Sequence, residues 1–156
     1  MTLYLVMMLA IDIGNTNITI GVFEMDADVE SPYEAKATWR FATSADRLVD
    51  DYGLLLTSLF PLKNISPTKL TSAGICSVVP PLTATFVDLC NSYFGLEPLV
   101  VGAGIKTGIK ILYDSPRDVG SDRIADAAAV MKLYGGPAVV VDFGTATVFD
   151  AVSKRG

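Results

Sequence analysis

Apolar residues fall in short blocks along this chain, and the polar residues that end each block decide what it becomes. An apolar run reaches about Asp12, then Gly14-Asn15-Thr16-Asn17 interrupts it, and then Ile18, Ile20, Val22 and Phe23 resume. That pattern predicts a buried strand, a tight polar turn and a second strand. An acidic loop at 24–32 precedes a third strand at 35–42, with Trp39 and Phe41 on one face. Thr43 or Ser44 is placed to cap a helix that starts near Asp46, carries Leu48, Leu55 and Leu59, and stops before Pro61. Residues 71–79 read as a buried strand. Pro80 and Pro81 open a second helix, with Leu82, Phe86, Leu89 and Tyr93 at helical spacing and Gly95 as its stop. A fifth strand is expected at 98–101, a loop at 102–118, and a third helix from about Ser121 to Tyr134, ended by Gly135-Gly136-Pro137. At Ala138 the opening pattern returns: Val139-Val140-Val141, then Asp142-Phe143-Gly144-Thr145-Ala146-Thr147.

The order is β-β-β-α-β-α-β-α, followed by a second β-β. Three leading strands joined by turns, then alternating helix and strand, predict an α/β mixed sheet with helices on both faces. Two D-x-G turns, each after an apolar strand, suggest a duplicated nucleotide-binding fold. The arrangement resembles the ribonuclease-H-like unit that is repeated in the actin-like ATPase superfamily, with actin, hexokinase and Hsp70. On that reading residues 1–137 are a first unit, and 138–156 are the opening hairpin of a second repeat that is cut short. A truncated chain, a fragment and a natural half all fit.

Composition narrows the chemistry. A hydrophobic fraction of 51% and 19% charged residues describe a globular chain. The net charge of −5 argues against nucleic acid or an anionic membrane surface as a partner. There is no histidine, and the two cysteines, Cys76 and Cys90, are far apart. A histidine-based zinc site and a Ser-His-Asp or Cys-His nucleophile are thereby excluded. Reduced, buried thiols in a cytoplasmic protein are expected. The apolar run from Leu3 to Ile11 is too short to span a bilayer and lacks the basic start of a signal peptide.

No G-x-x-x-x-G-K-[ST] loop is present, so a nucleotide must be gripped by the hairpin turn itself. Asp12 offers a carboxylate for Mg²⁺, through water, as a hard cation prefers oxygen ligands. Gly14 allows close approach of phosphate. The amides and side chains of Asn15, Thr16 and Asn17 offer donors to phosphate oxygens. The plain alternative for either copy alone is an Asx-type turn between paired strands.

A second stretch runs from Tyr113 to Ala127. Gly120-Ser121 enters a helix with Asp122 and Arg123 in its first turn. A carboxylate there is favoured by the helix dipole. It is a weak base, which suffices for phosphoryl transfer through a loose transition state. Arg123 can pair with a carboxylate or phosphate. Lys106, Lys110, Arg117 and Arg123 form a local basic patch. Helix capping and a solvated loop explain the same residues equally well. Asp118 is read as a helix cap, and Asp126 as a packing or ion-pairing residue.

Three motifs in this order resemble type III pantothenate kinase. Asp12-Ile13-Gly14-Asn15-Thr16-Asn17 is similar to that family's first phosphate motif. Tyr113 to Pro116 with Gly120-Ser121-Asp122-Arg123 is similar to its substrate segment, with Ser121 where alanine is usual. Tyr134-Gly135-Gly136 with Val141 to Thr147 is similar to its second phosphate motif. The resemblance implies ATP-dependent phosphorylation of pantothenate to 4′-phosphopantothenate, the first step of coenzyme A synthesis. It implies that Asp12, Ile13, Gly14, Asn15, Thr16, Asn17, Ile18 and Thr19 line the ATP phosphates, with Thr145 opposite. Asp122 is then the general base, and Tyr113, Gly120, Ser121, Asp122 and Arg123 contact pantothenate. Asp142 helps hold a monovalent cation, potassium or ammonium. A homodimer in the cytoplasm is implied as well. A non-catalytic accessory role, or another small-molecule kinase of the superfamily, are the alternatives. The 156-residue chain by itself is expected to show little activity.

Overall fold

A computed structural model describes residues 6–25, 34–102 and 104–156. Most of the expected acidic loop lies outside the described residues. The chain divides into two compact units, 1–100 and 101–156. This division follows packing, whereas the sequence expectation at 137/138 follows the repeat.

The first unit is built on strands β1 (Val6–Ile13), β2 (Asn17–Met25), β3 (Ala35–Ala42), β4 (Leu70–Ser77) and β5 (Leu99–Val100), in the order β3-β2-β1-β4-β5. β1 pairs antiparallel with β2 and parallel with β4, so the sheet is mixed. Alternation decides which face is buried. Met7, Leu9, Ile11 and Ile13 are buried, and their neighbours Val22, Ile20 and Ile18 on β2 and Ala73 and Ile75 on β4 share that face. Trp39 and Phe41 lie opposite Ile20 and Ile18, on the same side, as expected.

Helices α1 (Val49–Leu59) and α2 (Pro80–Phe94) cover this face. Tyr52 and Leu56 of α1, with Phe60 just beyond it, meet Leu82, Phe86 and Leu89 of α2 in one core. The Tyr52 and Phe86 rings lie 4.6 Å apart, and Trp39 and Phe60 lie 5.3 Å apart. The helices approach closely at Gly53, where a Cβ would stand 2.2 Å from the Tyr93 ring. α2 begins at the two prolines and ends at Gly95, whose φ of 64° is the left-handed cap that glycine favours.

α1 starts later than its sequence suggests. Leu48 is its first flanking residue, and the Asp51 carboxylate accepts the Leu48 N–H at 2.9 Å. Thr43 does not cap it, because its hydroxyl donates instead to Gly14 O at 2.6 Å. β4 ends at Ser77, two residues before the expected end. The Val78 N–H still donates to Ile13 O at 3.0 Å, the last rung of the parallel ladder, and Ser77 Oγ then accepts the Val79 N–H at 3.2 Å as the chain turns into α2.

The second unit holds α3 (Ser121–Leu133) and a two-stranded hairpin, β6 (Ala138–Phe143) and β7 (Thr147–Val152). Ile124 and Ala127 of α3 and Val152 of β7 are buried. The other side of the hairpin is open: Val139, Val141, Phe143 and Phe149 are exposed. No helix among the described residues is long and apolar enough to cross a membrane.

Candidate active site

The first hairpin turn joins the two central strands of the five-stranded sheet. Asp12 lies at the end of β1, opposite Thr19 on β2 and Cys76 on β4, with an exposed side chain. Asn15 and Thr16 form the exposed tip. The Gly14 N–H donates to Asn17 O at 2.9 Å, so that amide closes the turn rather than facing outward. A Cβ on Gly14 would sit 3.1 Å from the same oxygen, a second reason for glycine here. Thr43 ties the turn from outside: its N–H donates to Thr16 O at 3.0 Å and its hydroxyl to Gly14 O. Ile13 and Ile18, at the base of the turn, are fully buried. The turn is therefore a polar loop anchored in core, a suitable holder for phosphate.

In the second unit, Gly120 flanks the start of α3 and accepts the Ile124 N–H at 3.3 Å. Ser121 is buried, so a small residue is required there. Asp118 does not cap this helix: it ends a short 3₁₀ turn, Pro116–Asp118, and its N–H donates to Ser115 O at 3.0 Å. Asp122 is half-buried in the first turn of α3, and its Oδ1 accepts the Arg123 N–H at 2.8 Å.

Arg123 is the centre of a polar cluster. Its Nε donates to Asp150 Oδ1 at 2.9 Å and Oδ2 at 3.0 Å, and its Nη2 also bonds Asp150 Oδ1. Nη2 donates to the Tyr113 hydroxyl at 3.0 Å, and the guanidinium carbon stands 4.9 Å from the Tyr113 ring centre. The hydrogen bond to Asp150, and then that to Tyr113, hold the guanidinium above the usual arginine range. These three side chains edge a cavity of about 400 Å³. Ile109, Leu112, Val119 and Phe149 supply its apolar wall, and Lys110 joins Arg123 as a second cation. Lys106 and Arg117 are exposed elsewhere, so only part of the expected basic patch is gathered.

Asp150 has no place among the residues expected from sequence. The signal was present: it is the one charged residue in the apolar run 147–152, and it faces Val140 across the hairpin. Asp142 and Thr145 lie on the exposed part of that hairpin, with Asp142 opposite Val148. The Gly144 N–H donates to Ala146 O at 3.2 Å.

Among the described residues no group of three or more acidic or thiol side chains could hold a metal ion. Asp12 and Asp142 each offer a single exposed carboxylate. That set suits a hydrated Mg²⁺ or a weakly held monovalent cation rather than a closed protein cage.

A family model described as type III pantothenate kinase matches residues 8–156. The type III pantothenate kinase of Moorella thermoacetica is 45% identical over 150 residues, which cover 96% of this chain and 56% of that protein. That of Dehalococcoides mccartyi is 47% identical over 149 residues, covering 96% and 55%. The chain thus spans about half the length of the curated relatives it matches. Among solved structures, a reductive activator for corrinoid, iron–sulfur protein superposes with a TM-score of 0.63 at 11% identity, over 99% of this chain and 30% of that one. An Aquifex aeolicus member of the Ppx/GppA family gives 0.50 at 17% identity, over 94% and 48%. Identities that low speak for the fold alone, and that fold is the actin-like ATPase fold expected from the strand order. With residues 8–156 matched by the family model and relatives 45% and 47% identical over 96% of its length, the chain belongs to the type III pantothenate kinase family.

Proposed function

We propose that the protein carrying this chain transfers the γ-phosphoryl group of ATP to the primary hydroxyl of pantothenate. The observation that carries the reading is the family match over 8–156, which takes in both hairpins and the whole Tyr113 to Arg123 segment.

The turn from Asp12 to Thr19 cradles the ATP phosphates through the amides and side chains of its tip, and Thr145 serves from the second hairpin. Mg²⁺ would be held at Asp12 through water, and would offset charge on the phosphate oxygens. Asp142 with nearby backbone oxygens would hold potassium or ammonium. Pantothenate lies against Tyr113, Gly120, Ser121, Asp122 and Arg123.

Asp122 accepts the proton. Its Oδ1 is engaged with the Arg123 N–H, which holds the carboxylate in one orientation and leaves Oδ2 to face the acceptor hydroxyl. As the hydroxyl oxygen bonds to the γ-phosphorus, the bond to the ADP oxygen breaks. The hydroxyl proton passes to Oδ2. A carboxylate is adequate for this, because nucleophile deprotonation lags bond cleavage in a loose transition state. A homodimer working in the cytoplasm belongs to the same reading.

The test uses the full-length protein with radiolabelled ATP and pantothenate. Asp122→Asn is expected to lower kcat by about 10²- to 10⁴-fold with the fold intact by circular dichroism. Near-normal turnover in that variant would remove Asp122 from the role of base. Wild-type activity indifferent to potassium and ammonium would remove Asp142 from its role.

A further inference from the structure

We propose that Asp150 is a positioning residue for the acceptor-substrate site, acting through Arg123. The proposal rests on the reading of Arg123 as a pantothenate contact, and its first test is independent of that reading.

The geometry starts from the guanidinium. Arginine has five N–H donors in a rigid plane. Asp150 takes the side formed by Nε and Nη2, in the paired arrangement that fixes both the distance and the plane of the group. Tyr113 accepts a further bond from Nη2 and lies beneath the guanidinium. Among the described residues nothing accepts from Nη1. Those two N–H groups are the donors left for an occupant of the cavity that Arg123 lines.

An unsupported arginine on a helix surface samples many rotamers, and holding it still costs side-chain entropy with each binding event. The side chains of Arg123 and Asp150 are only 23% and 18% exposed, so the pair is shielded from competing water. Asp150 also reaches α3 from a strand, which is a stiffer support than a loop. The clamp therefore sets the direction of Nη1 before the substrate arrives.

The clamp itself is tested by NMR of the arginine Nε–H groups in the full-length protein. In the wild type the Arg123 Nε–H is expected to be sharp and protected from exchange. Asp150→Ala should broaden it or expose it to exchange, and an unchanged signal in that variant overturns the proposal. Kinetics then test its purpose. Asp150→Asn keeps the size and one acceptor but loses the paired geometry. It is expected to raise KM for pantothenate by about tenfold, with kcat and KM for ATP within about twofold. In an Arg123→Gln background the same change should have almost no further effect, because Asp150 acts only through the guanidinium. Asp150→Glu should recover part of the loss. Additive effects of the two substitutions, or equal rises in both KM values, overturn the proposal. A variant whose α3 amides lose protection broadly would show Asp150 to be a structural tie, and would overturn it as well. If the wild type turns over no pantothenate while the Arg123 signal behaves as expected, the functional reading fails and the clamp stands.

Discussion

The hairpins at Asp12 and Asp142 share a motif and differ in what surrounds them. In the first, the residue after the aspartate is Ile13, fully buried between the antiparallel partner β2 and the parallel neighbour β4. In the second, the equivalent residue is Phe143, 81% exposed on a two-stranded hairpin. The turns differ too. Asp12 lies opposite Thr19 and Asp142 opposite Val148, so the second loop is one residue shorter in register. A shift of one residue reverses which face each following side chain takes. A shared sequence motif thus specifies a D-x-G turn, while the neighbouring strands decide whether that turn is a rigid fixture. By this measure the first hairpin is fixed within a packed core, whereas the second packs in this unit against α3 and the segment 109–113.

Matched substitutions at the position after each aspartate are the strongest way to break this contrast. Ile13→Ala is expected to lower unfolding free energy by about 2–5 kcal/mol, the range for emptying a well-packed site. Trp39, the single tryptophan, packs against Phe60 and reports unfolding of that unit in urea. Phe143→Ala should change stability by no more than about 0.5 kcal/mol, as for an exposed site. A loss above about 1 kcal/mol at Phe143 would mean that the second hairpin is covered in solution.

A smaller effect is expected one residue further on. A Cβ at Gly14 would press on Asn17 O at 3.1 Å, an oxygen already bonded to the Gly14 N–H, with Thr43 holding the turn from the other side. Nothing there can yield without loosening the turn. At Gly144 the nearest atom is an Asp142 carboxylate oxygen at 3.5 Å, an ordinary contact. Gly14→Ala should therefore cost about 1 kcal/mol, read as faster amide exchange across the turn, and Gly144→Ala a few tenths at most. Equal costs at the two glycines would show that the turns are equivalent after all.

Much of this contrast was legible in the sequence. Both hairpins, the succession of strands and helices along the chain and the second helix followed from alternation and from local stop signals, Pro80-Pro81 and Gly95. What could not be read depended on a partner distant in sequence. Thr43 looks like a helix cap because Val49 follows soon after, yet its hydroxyl is drawn to Gly14 across the sheet. Asp150 looks like a polar residue on a strand, yet its partner is on α3. In each case a local propensity gave way to a hydrogen bond that exists only once the fold is assembled.

The finest distinction between the units is their response to alkali. Cys90 is fully buried in the core of the first unit, and burial pushes its thiol up from 9.0 to about 11. The unfolded chain ionises this group first, so its contribution to stability is complete below about pH 9 and is lost as pH rises through about 11. Burial raises Tyr52 in the same direction, adding to the same decline. Both cysteines lie in the first unit. Urea midpoints followed by Trp39 should therefore fall between pH 8 and pH 10.5, and fall less in Cys90→Ala, where a slope remains from Tyr52 and from Tyr93, which its hydrogen bond to Asp50 raises. If Cys90→Ala leaves the slope unchanged, the thiol reaches solvent in the native state, and the core that holds the first hairpin is looser than its packing indicates.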